Sequence, residues 1–353
     1  MKLFSSKAES LIGIDISSTG IKLVELSGGQ TSPKLESMSM VQIPRDAIVE
    51  NTIIDSMVIS QALKDALDAA KPSAKKVAFA VSGNAVIIKT VTMPVMSEFD
   101  LEAQIEFEAD EYIPYDIEDV YLDFQILGEV ADDPSQMEVV LAACKREVID
   151  DYQLVLKDAG LEVVCVDCCV FCLENAAELA YEQTAGGDEQ EENVHALVNI
   201  GANLININIL RNGQTTFVRD QFFGGQNLTE DIQKVQNISF QAAEEMKLKD
   251  FSAISQEALA SFHEGLASEL VRSLDFYVAS HPGHPVQKLF VSGGCALIPG
   301  IADELRERIG IDAEVLNPFS GIKSGRKFDA DYLQKIGPMM MVPVGLALRS
   351  FDE

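Results

Sequence analysis

The sequence predicts an α/β protein of two lobes, and three observations support this prediction. The chain has 353 residues, roughly the length of two domains. A pattern of strand, small-residue turn and strand occurs at residues 11–26 and again at residues 196–210. Placing Asn199 on Asp15 gives a separation of 184 residues (199 minus 15), close to half of the chain. A unit that recurs at half-length predicts two lobes of like fold, each beginning with a hairpin.

The elements of the first half alternate between strands and helices. After the first hairpin, the sequence predicts a strand at 34–43 and a helix at 55–71, which Pro72 ends. An acidic, Gly-containing run at 184–193 predicts a linker or surface loop. Between the helix at 55–71 and this acidic run, the sequence predicts the following elements: strands at 77–81 and 86–92, a helix at 97–112, strands at 120–127 and 137–143 around a polar loop at 131–136, a helix at 146–159, a strand at 161–167 and a helix at 168–183.

The second half opens with the repeated hairpin. There Ile205, Ile207 and Ile209 alternate with Asn206 and Asn208, which is typical of a strand. The remaining predicted elements are helices at 226–236, 239–247 and 261–280, a strand at 286–292, and helices at 296–309 and 333–350.

Charge and composition exclude several classes of partner. The 27 Lys and Arg residues against 56 Asp and Glu residues give a formal net charge of −29. Such a charge disfavours binding to nucleic-acid phosphates or an anionic bilayer, and favours basic protein segments or small ligands in a local site. No apolar run approaches the ~18 residues of a membrane span, and residues 1–10 lack the apolar region of a signal peptide. A cytoplasmic location is therefore expected.

The two small-residue turns are candidates for a phosphate clamp, because such turns bring backbone N–H groups close to anionic oxygens. Asp15 is placed to hold Mg²⁺, through water, and Lys22 supplies a positive charge for phosphate. The alternative is two ordinary surface hairpins. The candidate turn residues are Ser17, Ser18 and Thr19 in the first hairpin, and Asn199, Gly201, Ala202 and Asn203 in the second.

Three further motifs lie in the second half. Gly293 and Gly294 follow a predicted buried strand and precede a helix, a turn that lets backbone pass close to a flat ligand such as adenosine. Gly224 and Gly225 form a second Gly-Gly turn before a helix. Glu244 and Lys247 lie at i and i+3 on one helix and could reach a ribose and a base. The alternatives are a helix-packing turn for Gly293 and Gly294, and a solvated surface pair for Glu244 and Lys247.

A cysteine cluster raises the separate possibility of a metal site. Four thiols within eight residues suggest zinc or an iron–sulfur cluster. The spacing is short for two zinc knuckles, and cysteine is also a common small buried residue, so the structural interpretation is favoured. The cluster consists of Cys165, Cys168, Cys169 and Cys172.

In this order, the motifs resemble those of the actin, Hsp70 and sugar-kinase superfamily. Within it the chain is most similar to the PilM family of type IV pilus assembly proteins, which are relatives of the division protein FtsA. Segments at 108–115, 272–277, 317–319 and 342–349 also resemble that family, so the resemblance covers residues 12–349. It implies an actin-like (ribonuclease-H-like) two-lobed fold with an FtsA-type inserted α+β subdomain.

The resemblance also implies a domain division, ligands and a partner. Lobe one would span 1–82 and 166–190 and would include the C-terminal helix 340–353. The insert would span 83–165, and lobe two would span 191–339. ATP and Mg²⁺ would lie between the lobes. The partner would be the cytoplasmic tail of PilN, an inner-membrane protein of a PilN/PilO/PilP complex, and pilus motor ATPases are further candidate partners. The chain would thus be peripheral at the inner membrane through protein contacts.

One departure from the superfamily pattern bears on catalysis. Asn199 stands where the second phosphate motif usually carries Asp, and an amide cannot share charge with Mg²⁺ or act as a base. Asp167 is the one candidate for a water-activating acid, and its alternative role is to cap the following helix. We therefore predict an ATP-binding adaptor with slow or no ATPase activity, and no catalytic residue is assigned. The alternative is a small-molecule kinase of the same superfamily.

The expected place for the PilN tail is lobe one, near the insert. A largely apolar peptide with basic residues would need an apolar groove in an acidic surface. The alternative is that each acid of the predicted helix 97–112 serves only solubility. The acids of this helix are Glu98, Asp100, Glu102, Glu106, Glu108, Asp110 and Glu111.

Overall fold

The computed structural model describes residues 10–130, 133–181 and 193–352. Five strands of its first large sheet have the same topology as the five strands of the second, which confirms the prediction of two lobes of like fold. In each, three antiparallel strands are followed by two parallel ones. None of the helices in the described ranges combines the length and the apolar run that a membrane crossing needs.

The first sheet has the strand order β10-β6-β1-β2-β3-β16. Its last strand comes from the far end of the chain, within the range that we predicted for lobe two. Its strands are β1 (Ile12–Ser17), β2 (Gly20–Gly29), β3 (Ser32–Gln42), β6 (Lys76–Val81), β10 (Glu162–Cys168) and β16 (Lys323–Ser324), and a separate small ladder joins β4 (Ile48–Val49) to β5 (Thr52–Ile53).

The second sheet has the order β13-β12-β11-β14-β15. Its opening hairpin forms at the predicted place, while β13 and β15 were not predicted. The strands are β11 (Val194–Ile200), β12 (Ile205–Arg211), β13 (Gln214–Gln221), β14 (Lys288–Ser292) and β15 (Asp312–Val315).

A third sheet, of order β7-β9-β8, forms the predicted α+β insert with one helix packed on it. The sheet spans β7 (Val86–Pro94), β8 (Val120–Val130) and β9 (Asp133–Lys145), and the helix is α2 (Glu98–Tyr112). The prediction of a polar loop at 131–136 is wrong for residues 133–136, which belong to β9. Residues 131 and 132 lie outside the described ranges. Residues 184–192 of the predicted acidic linker also lie outside them.

Alternation along the strands places a helical layer on each face of the first sheet. Ile12, Val77 and Phe79 face a core shared with helices α1 (Ser56–Ala70) and α3 (Arg146–Asp158). Helix α3 and strand β10, which lie wholly or partly in the predicted insert range, therefore pack with the first sheet.

The opposite face of the first sheet packs on α4 (Cys169–Tyr181) and α10 (Met341–Leu348). This core also contains Leu197, Leu210 and Phe290 of the second sheet, so the two helices lie between the two sheets. The far face of the second sheet packs on α5 (Gly225–Gln236), α6 (Phe240–Lys249), α7 (Gln256–Ser280) and α8 (Ile301–Ile309).

The C-terminal region differs from the single helix predicted at 333–350. Helix α9 (Ala330–Ile336) ends before a 3-10 turn at 337–340, and α10 begins at Met341. Pro338 explains the break, because proline lacks the N–H that a continuous helix would need. The helix predicted at 296–309 is likewise divided into a 3-10 turn at Gly294–Leu297 and α8.

Candidate functional site

The two predicted turns face each other across the space between the sheets. In the first, Ser17 pairs with Gly20, so Ser18 and Thr19 form a two-residue hairpin loop. Asn203 of the second turn donates a hydrogen bond from Nδ2 to Ser18 Oγ at 3.3 Å. Residues 185 positions apart are thus in contact, so the two small-residue turns lie side by side, and we call the region around them the cleft.

Asp15 and Lys22 lie directly opposite each other on β1 and β2, next to the first turn. Lys22 Nζ contacts Asp15 Oδ2 at 2.7 Å, and both side chains are largely buried, with 15% and 14% of their surface exposed. The cleft wall therefore presents an ammonium group and a carboxylate side by side, which are complementary to a phosphate and to a cation bound to it.

The second turn is held by the N-terminus of α5. The Gly225 N–H donates to Gly201 O at 2.9 Å, and the Gln226 N–H donates to Ala202 O at 2.8 Å. A Cβ atom on Gly224 would lie 2.5 Å from Gly201 O, so only glycine permits this approach. The structure thus brings the Gly224–Gly225 motif to the second small-residue turn, where it supports the backbone of that turn.

Glu244 and Lys247 connect α6 to the same support and are not a solvated surface pair. Lys247 Nζ donates to Gly225 O at 2.9 Å and to Thr229 Oγ1 at 2.7 Å, and lies 2.8 Å from Glu244 Oε2. Thr229 Oγ1 donates to Glu244 Oε2 at 2.6 Å. The pair therefore fixes the first turn of α5 against the cleft.

The Ser-Gly-Gly turn lies beside the second phosphate turn. Strand β14 pairs with β11 so that Ser292 is opposite Asn199. Gly293 has φ +89°, and a Cβ atom there would lie 2.5 Å from Ile200 O and 2.7 Å from Asn199 Oδ1. Gly294, by contrast, faces open space, with no atom within 4 Å of an added Cβ. The predicted adenosine motif and phosphate motif are therefore adjacent.

Asp220 is a half-buried acid of this region that we did not predict. Asn199 Nδ2 donates to Asn206 Oδ1 at 3.0 Å, and Asn206 Nδ2 donates to Asp220 Oδ1 at 2.8 Å. Asp220 Oδ2 accepts the Gly83 N–H at 2.6 Å. Burial raises the pKa of Asp220, although the hydrogen bonds from Asn206 and Gly83 partly oppose this. This chain of hydrogen bonds, which we call the relay, connects Asn199 in the second sheet to Gly83, which begins the 3-10 turn after β6.

Both carboxylate oxygens of Asp167 contact other groups of the protein. Its Oδ1 accepts the Cys168 N–H at 2.7 Å, and its Oδ2 contacts Arg349 Nε at 2.7 Å. Burial opposes the charged form of Arg349, but the bonds to Asp167 and Asp352 outweigh it and raise the Arg349 pKa. The carboxylate is thus paired with a guanidinium and bonded to the last N–H of β10, which disfavours a role as a base; no bond from Asp167 to a backbone N–H of α4 is among these contacts.

Two residues of the cysteine cluster, Cys168 and Cys172, are buried, and Cys165 and Cys169 are half-buried. Burial raises the pKa of Cys165 to about 11, and it also raises the pKa of Cys168, Cys169 and Cys172 above the usual thiol value. Thiols bind metals as thiolates, which this environment disfavours. Across residues 10–130, 133–181 and 193–352, no three His, Cys, Asp or Glu side chains are grouped so that they could hold a metal ion.

The fold and cleft define the class of this protein: it has an actin-like fold. Solved structures of that fold match nearly the whole chain. EutJ, the ethanolamine utilization protein from Carboxydothermus hydrogenoformans, matches 96% of this chain and 89% of its own, at 16% identity and a TM-score of 0.58. MreB5 of Spiroplasma citri bound to AMPPNP matches 96% and 94%, at 14% identity and a TM-score of 0.50.

Within that class, the chain belongs to the PilM family of type IV pilus assembly proteins. The sequence profile described as type IV pilus assembly protein PilM matches residues 13–351. A solved PilM–PilN type IV pilus biogenesis complex matches 97% of this chain and 99% of its own, at 29% identity and a TM-score of 0.85. Cell division protein FtsA of Bacillus subtilis is 24% identical over 273 residues, which are 71% of this chain and 60% of FtsA. Both the predicted family and the predicted relationship to FtsA are confirmed.

Proposed function

We propose that this chain is an ATP-binding adaptor of the type IV pilus inner-membrane assembly complex, and that it binds the cytoplasmic tail of PilN. The observation that carries the proposal is the match over 97% of the chain to a PilM–PilN complex, at a TM-score of 0.85. Type IV pilus assembly itself follows from the family. Binding of PilN and binding of ATP are the two statements that we propose beyond the family assignment.

The geometry of the cleft supports nucleotide binding. Lys22 would contact the phosphates, the two turns would donate backbone N–H groups to them, and Asp15 would hold Mg²⁺ through water. Bound Mg²⁺ would neutralise phosphate charge in an otherwise strongly acidic protein. Gly293 and Gly294 would line the adenosine, while Gly224, Gly225, Glu244 and Lys247 would support the second turn.

We further propose that turnover of ATP is slow or absent. Asn199 supplies no charge, and Asp167 is paired with Arg349 at 2.7 Å. Since the kinase alternative requires an acidic base in the cleft, and this candidate is neutralised, an adaptor is the better-supported function.

The proposed place for the PilN tail is a hollow at the end of α2 in the insert. Three apolar or aromatic residues and two acids line it, which suits a largely apolar peptide with basic residues. The lining residues are Ile113, Pro114, Tyr115, Asp116 and Asp119.

Titration with a fluorescent PilN-tail peptide tests this function. We expect micromolar binding that weakens when salt is raised, because salt screens the attraction between the acids and the basic residues. Asp116→Lys with Asp119→Lys should weaken binding at least tenfold, while Asp65→Lys with Asp68→Lys on α1 should not. If the intact protein binds no peptide, with or without Mg-ATP, the adaptor proposal is wrong.

A further inference from the structure

Helix α2 exposes two phenylalanines on the side that faces away from its own sheet. Phe99 is 80% exposed and Phe107 is 88% exposed. Ala103, which is also exposed, lies between them at a spacing of four residues on either side. Residues four apart on a helix lie on one face, so these three form a continuous ridge, about 12 Å long. We call it the Phe ridge.

The Phe ridge is not needed for the fold of the insert. The opposite side of α2 already supplies Leu101 and Ile105, both buried against Met93 and Met137 of the three-stranded sheet. A surface helix normally has one apolar face and one polar face. A second apolar face, which includes two large aromatic side chains, indicates a surface that a partner covers.

The charge around the Phe ridge restricts the partner. Helix α2 contains no Lys or Arg, and acids flank the ridge, among them Glu102, Glu106 and Glu111. A second copy of this chain would bring two acidic helices together, and an anionic membrane would also be repelled. A partner with Lys or Arg beside its apolar residues would complement the surface.

We propose that the Phe ridge is a docking surface for a basic amphipathic helix of a protein partner other than the PilN tail. A convex ridge fits between the side-chain rows of a second helix, whereas an extended peptide needs a groove with pockets. The partner helix carries an apolar stripe of two to three turns with Lys or Arg along its edges. This inference does not rest on nucleotide binding, but it requires the PilN tail to bind away from the Phe ridge.

The first experiment uses a 20-residue helical probe peptide with a leucine stripe flanked by lysines. Phe99→Ser with Phe107→Ser should weaken its binding to the full-length protein at least tenfold, the size expected for losing aromatic anchors. The control is Met57→Ser, a residue on α1 that is 81% exposed. A peptide with glutamates in place of the lysines should not bind. Equal binding of the lysine peptide to the double variant and to the wild type would overturn the proposal, as would no binding to either.

The second experiment measures piliation in cells whose own copy of the gene is replaced by each variant. Cells with Phe99→Ser and Phe107→Ser should lose pili, those with Met57→Ser should keep them, and both variants should keep the thermal midpoint and PilN-peptide affinity of the wild type. Retained piliation would contradict the proposal. Loss of PilN-peptide binding in the double variant would also overturn it, by placing the PilN tail on the ridge. Failure of PilN binding in the wild type would concern the proposed function alone.

Discussion

The Asp220 carboxylate on β13 accepts the backbone N–H of Gly83 at 2.6 Å, and so joins the second sheet to the segment that follows β6 of the first. The same carboxylate accepts from Asn206, which in turn accepts from Asn199. One half-buried acid therefore orients the Asn199 amide of the second turn through Asn206, and also links the second sheet to the segment after β6.

Replacement of Asp220 by Asn should reduce stability by about 1–3 kcal/mol, because the amide cannot accept from both Asn206 and the Gly83 N–H. The measurement is denaturant unfolding at neutral pH. Asp68→Asn, an exposed acid on α1, is the control and should change little. An Asp220→Asn variant as stable as the wild type would show that the relay has no energetic role.

Replacement of Lys22 by Ala should weaken ATP binding ten- to over a hundredfold, since it removes a charge-assisted contact worth roughly 1.5–3 kcal/mol. Calorimetric titration with Mg-ATP measures the change. Lys64→Ala, on the exposed side of α1, should bind as the wild type does. If Lys22→Ala also binds ATP normally, the nucleotide does not lie at the paired turns.

Hydrolysis of Mg-ATP by the purified protein should be far slower than the ordinary enzyme range of ~1 s⁻¹ and above. The physical reason is that Asn199 carries no charge and Asp167 is neutralised by Arg349. Phosphate release is the measurement, and Lys22→Ala serves to recognise a contaminating ATPase. Rapid turnover that Asp167→Asn abolishes would restore Asp167 as a base.

Glu25 should make stability depend on pH. Burial raises its pKa, but hydrogen bonds from Ser73, Ala74 and Ser37 outweigh burial and leave the pKa below the usual value. The depressed pKa stabilises the fold above the unfolded-state pKa of about 4.3, and this stabilisation is lost as pH falls through the folded-state pKa.

Glu25→Gln should therefore cost about 1.5–3 kcal/mol at neutral pH, and less in acid, where the wild type has lost the same charge. Unfolding at a series of pH values measures the difference. Glu162→Gln, an exposed residue in β10, is the control. A difference between the wild type and Glu25→Gln that does not change with pH would contradict the assignment.

The hairpins, their turns and the half-length repeat could be predicted because each depends on neighbouring residues. The register between Asp15 and Lys22, for example, follows from the short loop at Ser18 and Thr19. Strand β13 was missed because its residues are mostly half-buried and show no clean alternation. Without β13, nothing in the sequence places Asp220 near Asn206.

The sequence contains a local signal for the boundaries of the C-terminal helices, but the continuous apolar pattern obscured it. All eight residues of α10 are buried, so no polar face marks its ends, and the apolar pattern continues back through Met340. Pro338 was the available indication of the break at 337–340.

The sequence by itself determined the repeated fold, the acidic charge, the replacement of a site acid by Asn199 and the family, because all of these are properties of residue order. Only the tertiary structure decided what single side chains do. The charge of Asp167 is paired with that of Arg349, which lies 182 residues away. Lys247 binds the Gly225 carbonyl and does not point from its helix into solvent. The physical reason is that a charged group takes its role from the partners that folding brings within hydrogen-bond distance, and those partners lie far apart in the chain.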